Sequence, residues 1–165
     1  NSTLYSIDHH HGSEEQQIGE QYFDKELFDS HLGCVNTLNH FRVTLKNFEL
    51  EKTVVTIVAN SLDVAKNWHT PLSMVFIDGG HSFDAVYNDY NCWVSHLIFG
   101  GFLAIHDIFS DTSQGGQAPR CIYEMALSSG LFIELPRINT LGILKRVSCG
   151  EISHIAKTRY SSYLI

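Results

Sequence analysis

Three short stretches of this sequence concentrate side chains able to hold a ligand or move a proton: Asp8-His9, Asp78-Gly-Gly-His81-Ser82 and His106-Asp107. An acid that closes an apolar strand can accept both hydroxyls of a ribose, which is why nucleotide-binding α/β folds place one there. Asp8 has that setting, although an acid that merely ends a strand in solvent has it too. In the second stretch an acid and an imidazole bracket two glycines at a helix start, where glycine lets the backbone turn sharply or approach a ligand. His81 is thereby a candidate general base and Asp78 a candidate metal ligand; the plain alternative is a strand-to-helix turn with Ser82 as its cap. His106 and Asp107 are adjacent, so inside a regular strand they would point to opposite faces and converge only if the strand ends at His106. On that condition Asp78, His106 and Asp107 make a mixed oxygen and nitrogen site for Mg²⁺, Mn²⁺ or a similar divalent ion. A packed histidine beside a turn-capping acid would leave the same pattern.

Two further features are less specific. Ser61 follows a strand end, where its hydroxyl suits contact with a bound base and equally a helix N-cap. His9-His10-His11 reads as loop, since three successive imidazoles cannot all face one ion, and His9 stands nearest the strand tip.

These residues need elements to hold them. Leu4 to Asp8, Thr53 to Ala59, Ser73 to Asp78 and Phe102 to Asp107 are apolar, β-branched or aromatic runs of strand length. Between them, Leu38, Phe41, Leu45 and Phe48 recur at helical spacing, Leu62 to Trp68 suits a short helix, and Ser82 caps a helix with Asp84 in its first turn. The stripe Phe83, Val86, Tyr90, Trp93, Leu97 and Ile98 predicts that this helix runs to Gly100-Gly101. Ser13-Glu-Glu-Gln16 has capping-box form, and the polar stretch after it, to about Ser30, reads as helix start or ordered loop. Pro119 opens a helix that stops at Gly130, and Phe132 to Leu135 with Leu141 to Leu144 predicts a closing hairpin. Strand and helix alternation with near-continuous apolar strands predicts a parallel sheet covered on both faces, with ligands at the carboxyl ends of the strands.

The 165 residues are 44% hydrophobic and carry a formal charge of -7, enough for a sizeable core in one domain. An acidic chain without a Lys/Arg-rich run is a poor partner for nucleic acid or anionic membrane. Four scattered cysteines outside any Cys-x-x-Cys pattern, and no apolar run of membrane length, predict a cytoplasmic protein with reduced thiols.

Taken together, Leu4-Tyr-Ser-Ile-Asp-His-His-His-Gly-Ser-Glu-Glu-Gln-Gln17, Met74-Val-Phe-Ile-Asp-Gly-Gly-His-Ser82 and Gly100-Gly-Phe-Leu-Ala-Ile-His-Asp107 resemble, in order and spacing, a bacterial family of small class I S-adenosylmethionine-dependent methyltransferases. The resemblance runs from about Leu4 to Arg146. It implies a Rossmann-like three-layer α/β sandwich, a mostly parallel sheet with a reversed last strand, and S-adenosylmethionine bound across the strand tips. It also implies that Asp8, with His9 beside it, holds the ribose, that Ser61 and Leu62 border the adenine, and that Asp78 sits near the methyl donor. Similar catechol-type and sugar O-methyltransferases bind a divalent metal at the places of Asp78, His106 and Asp107, the histidine being a departure. Only seven residues precede Asp8 and no Gly-x-Gly-x-x-Gly occurs, so the family's first strand and glycine-rich loop are expected to be lacking at the N-terminus. Residues 1–146 would then form the domain and 147–165 a tail, in which Tyr160, Tyr163, Leu164 and Ile165 would pack on the domain or on a second subunit.

Methyl transfer to the oxygen of a small-molecule acceptor is the leading expectation, with His81 as base and Asp107 orienting or acidifying the acceptor hydroxyl, with or without a metal. A nicotinamide-dependent oxidoreductase would use Asp8 in the same way, and a non-catalytic methyltransferase-like binding module would keep the fold without the chemistry.

Overall fold

The first apolar run forms a strand, β1 (Leu4–Asp8), parallel to β4 (Val54–Val58) and in register from Leu4 opposite Val54 to Asp8 opposite Val58. This pair belongs to the first of two compact units into which the chain divides, one ending at Asn67 and the other starting at Trp68. The computed structural model describes residues 2–149; the tail residues named above from Tyr160 onward lie outside them.

A parallel pair needs a crossover, and here it is α1 (Leu38–Asn47), which buries Leu45. Phe48 falls just outside the helix and is exposed. The polar stretch before α1 is neither one helix nor plain loop. It makes short 3₁₀ turns at Glu14–Gln16 and Lys25–Leu27, followed by a two-residue antiparallel pair, β2 (Phe28–Asp29) and β3 (Cys34–Val35). The Ser13 N–H donates to Gln16 Oε1 at 3.0 Å, the reciprocal half of a capping box. After β4 comes α2 (Ser61–Ala65), capped by Asn60, whose Oδ1 accepts the Leu62 N–H at 3.0 Å. Ser61 is therefore the first helical residue and not the cap.

The second unit contains β5 (Leu72–Ile77), α3 (Phe83–Trp93), β6 (Leu97–Ile105), α4 (Ala118–Ser128), β7 (Phe132–Glu134) and β8 (Gly142–Arg146). Its sheet has the order β5-β6-β8-β7. β5 and β6 run parallel, and β8 is antiparallel to both neighbours, the reversed last strand expected from the sequence. Strand alternation sends Val75, Ile77, Leu103, Ile105 and Leu144 to a buried face. On the other face Met74, Phe76 and Phe102 are exposed, while Ala104, two residues after Phe102 on β6, is fully buried.

The Ser82 hydroxyl caps α3, accepting the Ala85 N–H at 3.3 Å, and Phe83, Val86, Tyr90 and Trp93 are buried, each worth roughly 1.5–3 kcal/mol of transfer free energy. The helix ends earlier than its stripe predicts. Leu97 and Ile98 belong to β6, and Gly100-Gly101 lies inside that strand rather than after a helix. A Cβ on Gly101 would stand 3.0 Å from the Ser73 carbonyl oxygen on β5, so the glycine serves close strand approach. The Leu97 and Ile98 side chains kept helical spacing by coincidence; pairing with β5 decided their conformation. α4 has Pro119 in its first turn and buries Ile122, Met125 and Ala126. No described helix is long and apolar enough to cross a membrane, and none of the four cysteines is in a disulfide.

Candidate active site at the strand tips

In the second unit, β6 ends at Ile105, which frees the next two residues from strand alternation. The His106 N–H still bonds to the Ile77 carbonyl at 3.0 Å, and Asp107 then takes φ 58°, a left-handed conformation that among non-glycine residues asparagine, aspartate and histidine adopt most readily. That turn brings both side chains to one side. His106 Nδ1 lies 3.1 Å from Asp78 Oδ1 and 3.2 Å from Asp107 Oδ1. The other oxygen of Asp107 accepts from His81 Nε2 at 2.8 Å, and the far nitrogen of His106 meets Thr140 Oγ1 at 3.4 Å.

The four residues form one chain of contacts, Asp78 to His106 to Asp107 to His81, beside a shallow hollow also lined by Ile77, Gly79 and Ile105. The two glycines do not serve a left-handed turn: neither has positive φ. A Cβ on Gly79 would stand 3.2 Å from Asp89 Oδ2 on α3, so close packing is what that position requires.

Asp78, His106 and Asp107 offer one donor atom each, all within 4.8 Å of one another. Donors on adjacent vertices of an octahedral ion bound at about 2.1 Å stand roughly 3.0 Å apart, close to the two His106 Nδ1 spacings. The donor set and its spacing therefore fit a divalent cation. Thr140 supplies the outer partner that a metal-bound imidazole needs to fix its ring.

In the first unit, Asp8 closes β1 at the same end of the parallel pair at which β4 gives way to Ser61 and Leu62. Its side chain is about half exposed, and Oδ1 accepts the His10 N–H at 2.8 Å. His9 turns outward, its Nδ1 accepting the His11 N–H at 3.0 Å and its ring stacked on that of His11 at 5.8 Å. His10, read from the sequence as loop with its neighbours, is buried. Its Nδ1 lies 2.8 Å from Thr37 Oγ1 and its ring packs on Phe41 at 5.3 Å. Like Asp107, it has positive φ, 62°.

The family model of a methyltransferase domain matches residues 1–108. The chain belongs to this methyltransferase family. That stretch holds both strand-tip acids and every member of the His81 to Asp107 constellation except the hairpin residue Thr140.

Solved structures carry the same fold at low sequence identity. The O-methyltransferase NovP superposes with a TM-score of 0.61 at 10% identity, over 88% of this chain and 60% of its own. A protein from Corynebacterium glutamicum gives 0.57 at 17%, over 92% and 63%. A methyltransferase from Podospora anserina, solved with S-adenosylhomocysteine bound, gives 0.53 at 13%, over 67% and 56%. The chain spans about three fifths of the length of these structures. At such identities the likeness establishes the Rossmann-like methyltransferase fold.

Two residues of this methyltransferase domain escaped the sequence reading, Thr140 and His10. Thr140 reaches His106 from the β7–β8 connection, a proximity that only tertiary structure creates. For His10 the signal was present in part: an acid ending a strand can accept the backbone N–H two residues on and so fix a turn, here the His10 N–H.

Proposed function

We propose that this chain transfers the methyl group of S-adenosylmethionine to an oxygen of a small-molecule acceptor, assisted by a divalent metal. The observation that carries the reading is the contact chain Asp78, His106, Asp107 and His81 at the tips of β5 and β6 in a domain of the methyltransferase family.

Asp8 would hold the ribose hydroxyls of the donor, with His9 beside it, while Ser61 and Leu62 at the start of α2 would border the adenine and Asp78 would lie toward the sulfonium. Asp78, His106 and Asp107 would hold the metal, and an imidazole among the donors favours Mn²⁺ or a similar transition ion over Mg²⁺. The donor would supply an activated methyl group, and a divalent ion held by these residues would supply Lewis acidity toward the acceptor hydroxyl.

The remaining work falls to the side chains. His81 Nε2 lies 2.8 Å from Asp107 Oδ2, an imidazole nitrogen set against a carboxylate oxygen that orients its ring. His81 takes the acceptor's proton as its oxygen attacks the methyl carbon, and Asp107 steadies the imidazolium that forms. Thr140 holds the His106 ring in the plane that presents Nδ1 to the two carboxylates. The alternative, a nicotinamide-dependent oxidoreductase, needs only Asp8 and leaves this second constellation without a task.

Thermal shift decides between them. S-adenosylhomocysteine at about a hundred times its Kd should stabilise the protein by about 2.7 kcal/mol, a rise of roughly 5–10 °C for a chain of this size. Stabilisation by NADH and not by S-adenosylhomocysteine would overturn methyl transfer; silence from both, on this chain and on one extended upstream of Asn1, would support a binding module. With donor binding established, release of S-adenosylhomocysteine across a panel of small hydroxylated acceptors, with Mn²⁺ or with chelator, reads the reaction and its metal requirement.

A further inference from the structure

Tyrosines aside, His10 is the one polar residue buried among the described residues, 4% exposed, and nothing in the mechanism above employs it. Its burial is incompletely satisfied. Nδ1 pairs with Thr37 Oγ1 in either tautomer, and in either tautomer Nε2 is left buried with no hydrogen-bond partner among the described residues. An orphaned buried nitrogen and a left-handed backbone are both unfavourable, and a position that combines them is over-determined by its surroundings. Those surroundings converge on Asp8. The His10 N–H fixes Asp8 Oδ1 at 2.8 Å, Nδ1 stands 3.7 Å from Asp8 Oδ2, and the His10 carbonyl accepts the Thr37 N–H at 3.1 Å just before α1 begins. Phe41, one turn into α1, closes the ring's other side at 5.3 Å.

We infer that His10 is a positioning residue: its imidazole, pinned by Thr37 and Phe41, locks the turn that aims the Asp8 carboxylate at the ribose of the donor. This rests on the reading of Asp8 given above. An ordinary loop would let that carboxylate sample several rotamers, and each lost on binding would weaken the donor. With Oδ1 anchored from behind, Asp8 meets the ribose with its geometry already set.

The test compares S-adenosylhomocysteine with its 2′,3′-dideoxy analogue by titration calorimetry on the full chain and three variants. His10→Ala should weaken S-adenosylhomocysteine by about tenfold, and Thr37→Val, which removes the ring's partner at nearly constant shape, by about three- to fivefold. Neither should change affinity for the dideoxy analogue by more than about twofold, because that ligand has no hydroxyls for Asp8 to hold. A loss of equal size on both ligands would overturn the inference, showing that His10 supports the fold and not the carboxylate. Asp8→Asn tests the underlying reading separately. If it leaves S-adenosylhomocysteine affinity unchanged, the ribose role of Asp8 fails and the inference with it. If Asp8→Asn weakens binding while the His10 and Thr37 variants do not, only the positioning role is lost. Thr37→Val keeps the test decisive if His10→Ala unfolds.

Discussion

Replacing Asp107 by glycine separates what the site contributes to folding from what it contributes to function. The wild-type residue holds φ 58°, a conformation that costs a non-glycine side chain roughly 1–2 kcal/mol. Glycine removes that cost but adds about 0.5–1 kcal/mol of chain entropy lost on folding. The variant also loses the contacts to His81 at 2.8 Å and His106 at 3.2 Å. Both histidines are partly solvated, so their contacts together are worth about 1 kcal/mol. Relief of strain and loss of contacts nearly cancel, and thermal unfolding should change by less than about 1 kcal/mol, within roughly 2–4 °C. Mn²⁺ affinity should fall by at least about 100-fold, since one of three ligands is gone, a larger loss than outer-shell changes produce. Calorimetric titration with Mn²⁺ beside a melting curve reads both numbers. A loss of more than about 3 kcal/mol of stability would refute the cancellation and make Asp107 a structural residue. Unchanged Mn²⁺ affinity would refute the metal site.

Two further predictions concern the core around that site. Burial pushes the Tyr90 phenol up to about 12, so the folded protein keeps a proton that the unfolded chain loses near pH 10; stability is complete below pH 10 and falls as pH rises toward 12, by at most about 2.7 kcal/mol for this residue. Tyr90 also buries a hydroxyl with no partner among the described residues, so Tyr90→Phe should be neutral or stabilising by about 1 kcal/mol at pH 7. It should also remove part of the alkaline fall, to which Tyr123, raised to about 12 by burial and its bond to Glu134, and Cys121, whose thiol burial pushes up, contribute as well; denaturant melts at pH 8 and pH 11 measure this, and an unaltered alkaline slope would count against it. Gly142→Ala would drive a Cβ into Ile108 and Tyr123 beneath the pairing of β8 with β6 and should cost about 2–3 kcal/mol in a urea melt, whereas a loss under 0.5 kcal/mol would show that this packing yields.

Strand identity and the acids at strand ends were legible in the sequence because they depend on local pattern. The runs Leu4 to Asp8 and Ser73 to Asp78, each apolar with a polar stop, correspond to β1 (Leu4–Asp8) and β5 (Leu72–Ile77). The condition set for His106 and Asp107, a strand ending at that point, is met by the backbone. Errors arose where two periodicities overlap or where contact is non-local. Leu97 and Ile98 fit a helical stripe and a strand equally well, and pairing partners chose the strand. Asn60 and Ser61 are both competent caps, and α2 starts one residue earlier than a Ser61 cap would allow, with Asn60 Oδ1 accepting the Leu62 N–H. Thr140 owes its place to a hairpin, and the His10 ring owes its burial to Thr37 and Phe41 at the start of α1, contacts that no local spacing encodes.

Asp107 is shared. One of its oxygens serves His81 and the other His106, so single substitutions in this cluster will not yield independent contributions. The losses on changing His81 and Asp107 separately should exceed the loss on changing both, because removing the carboxylate already deprives His81 of its orientation. On the roles proposed above, an exchange of Asp78 or His106 would be felt at His81 through the shared carboxylate, so the two ends of the cluster would have to be altered together.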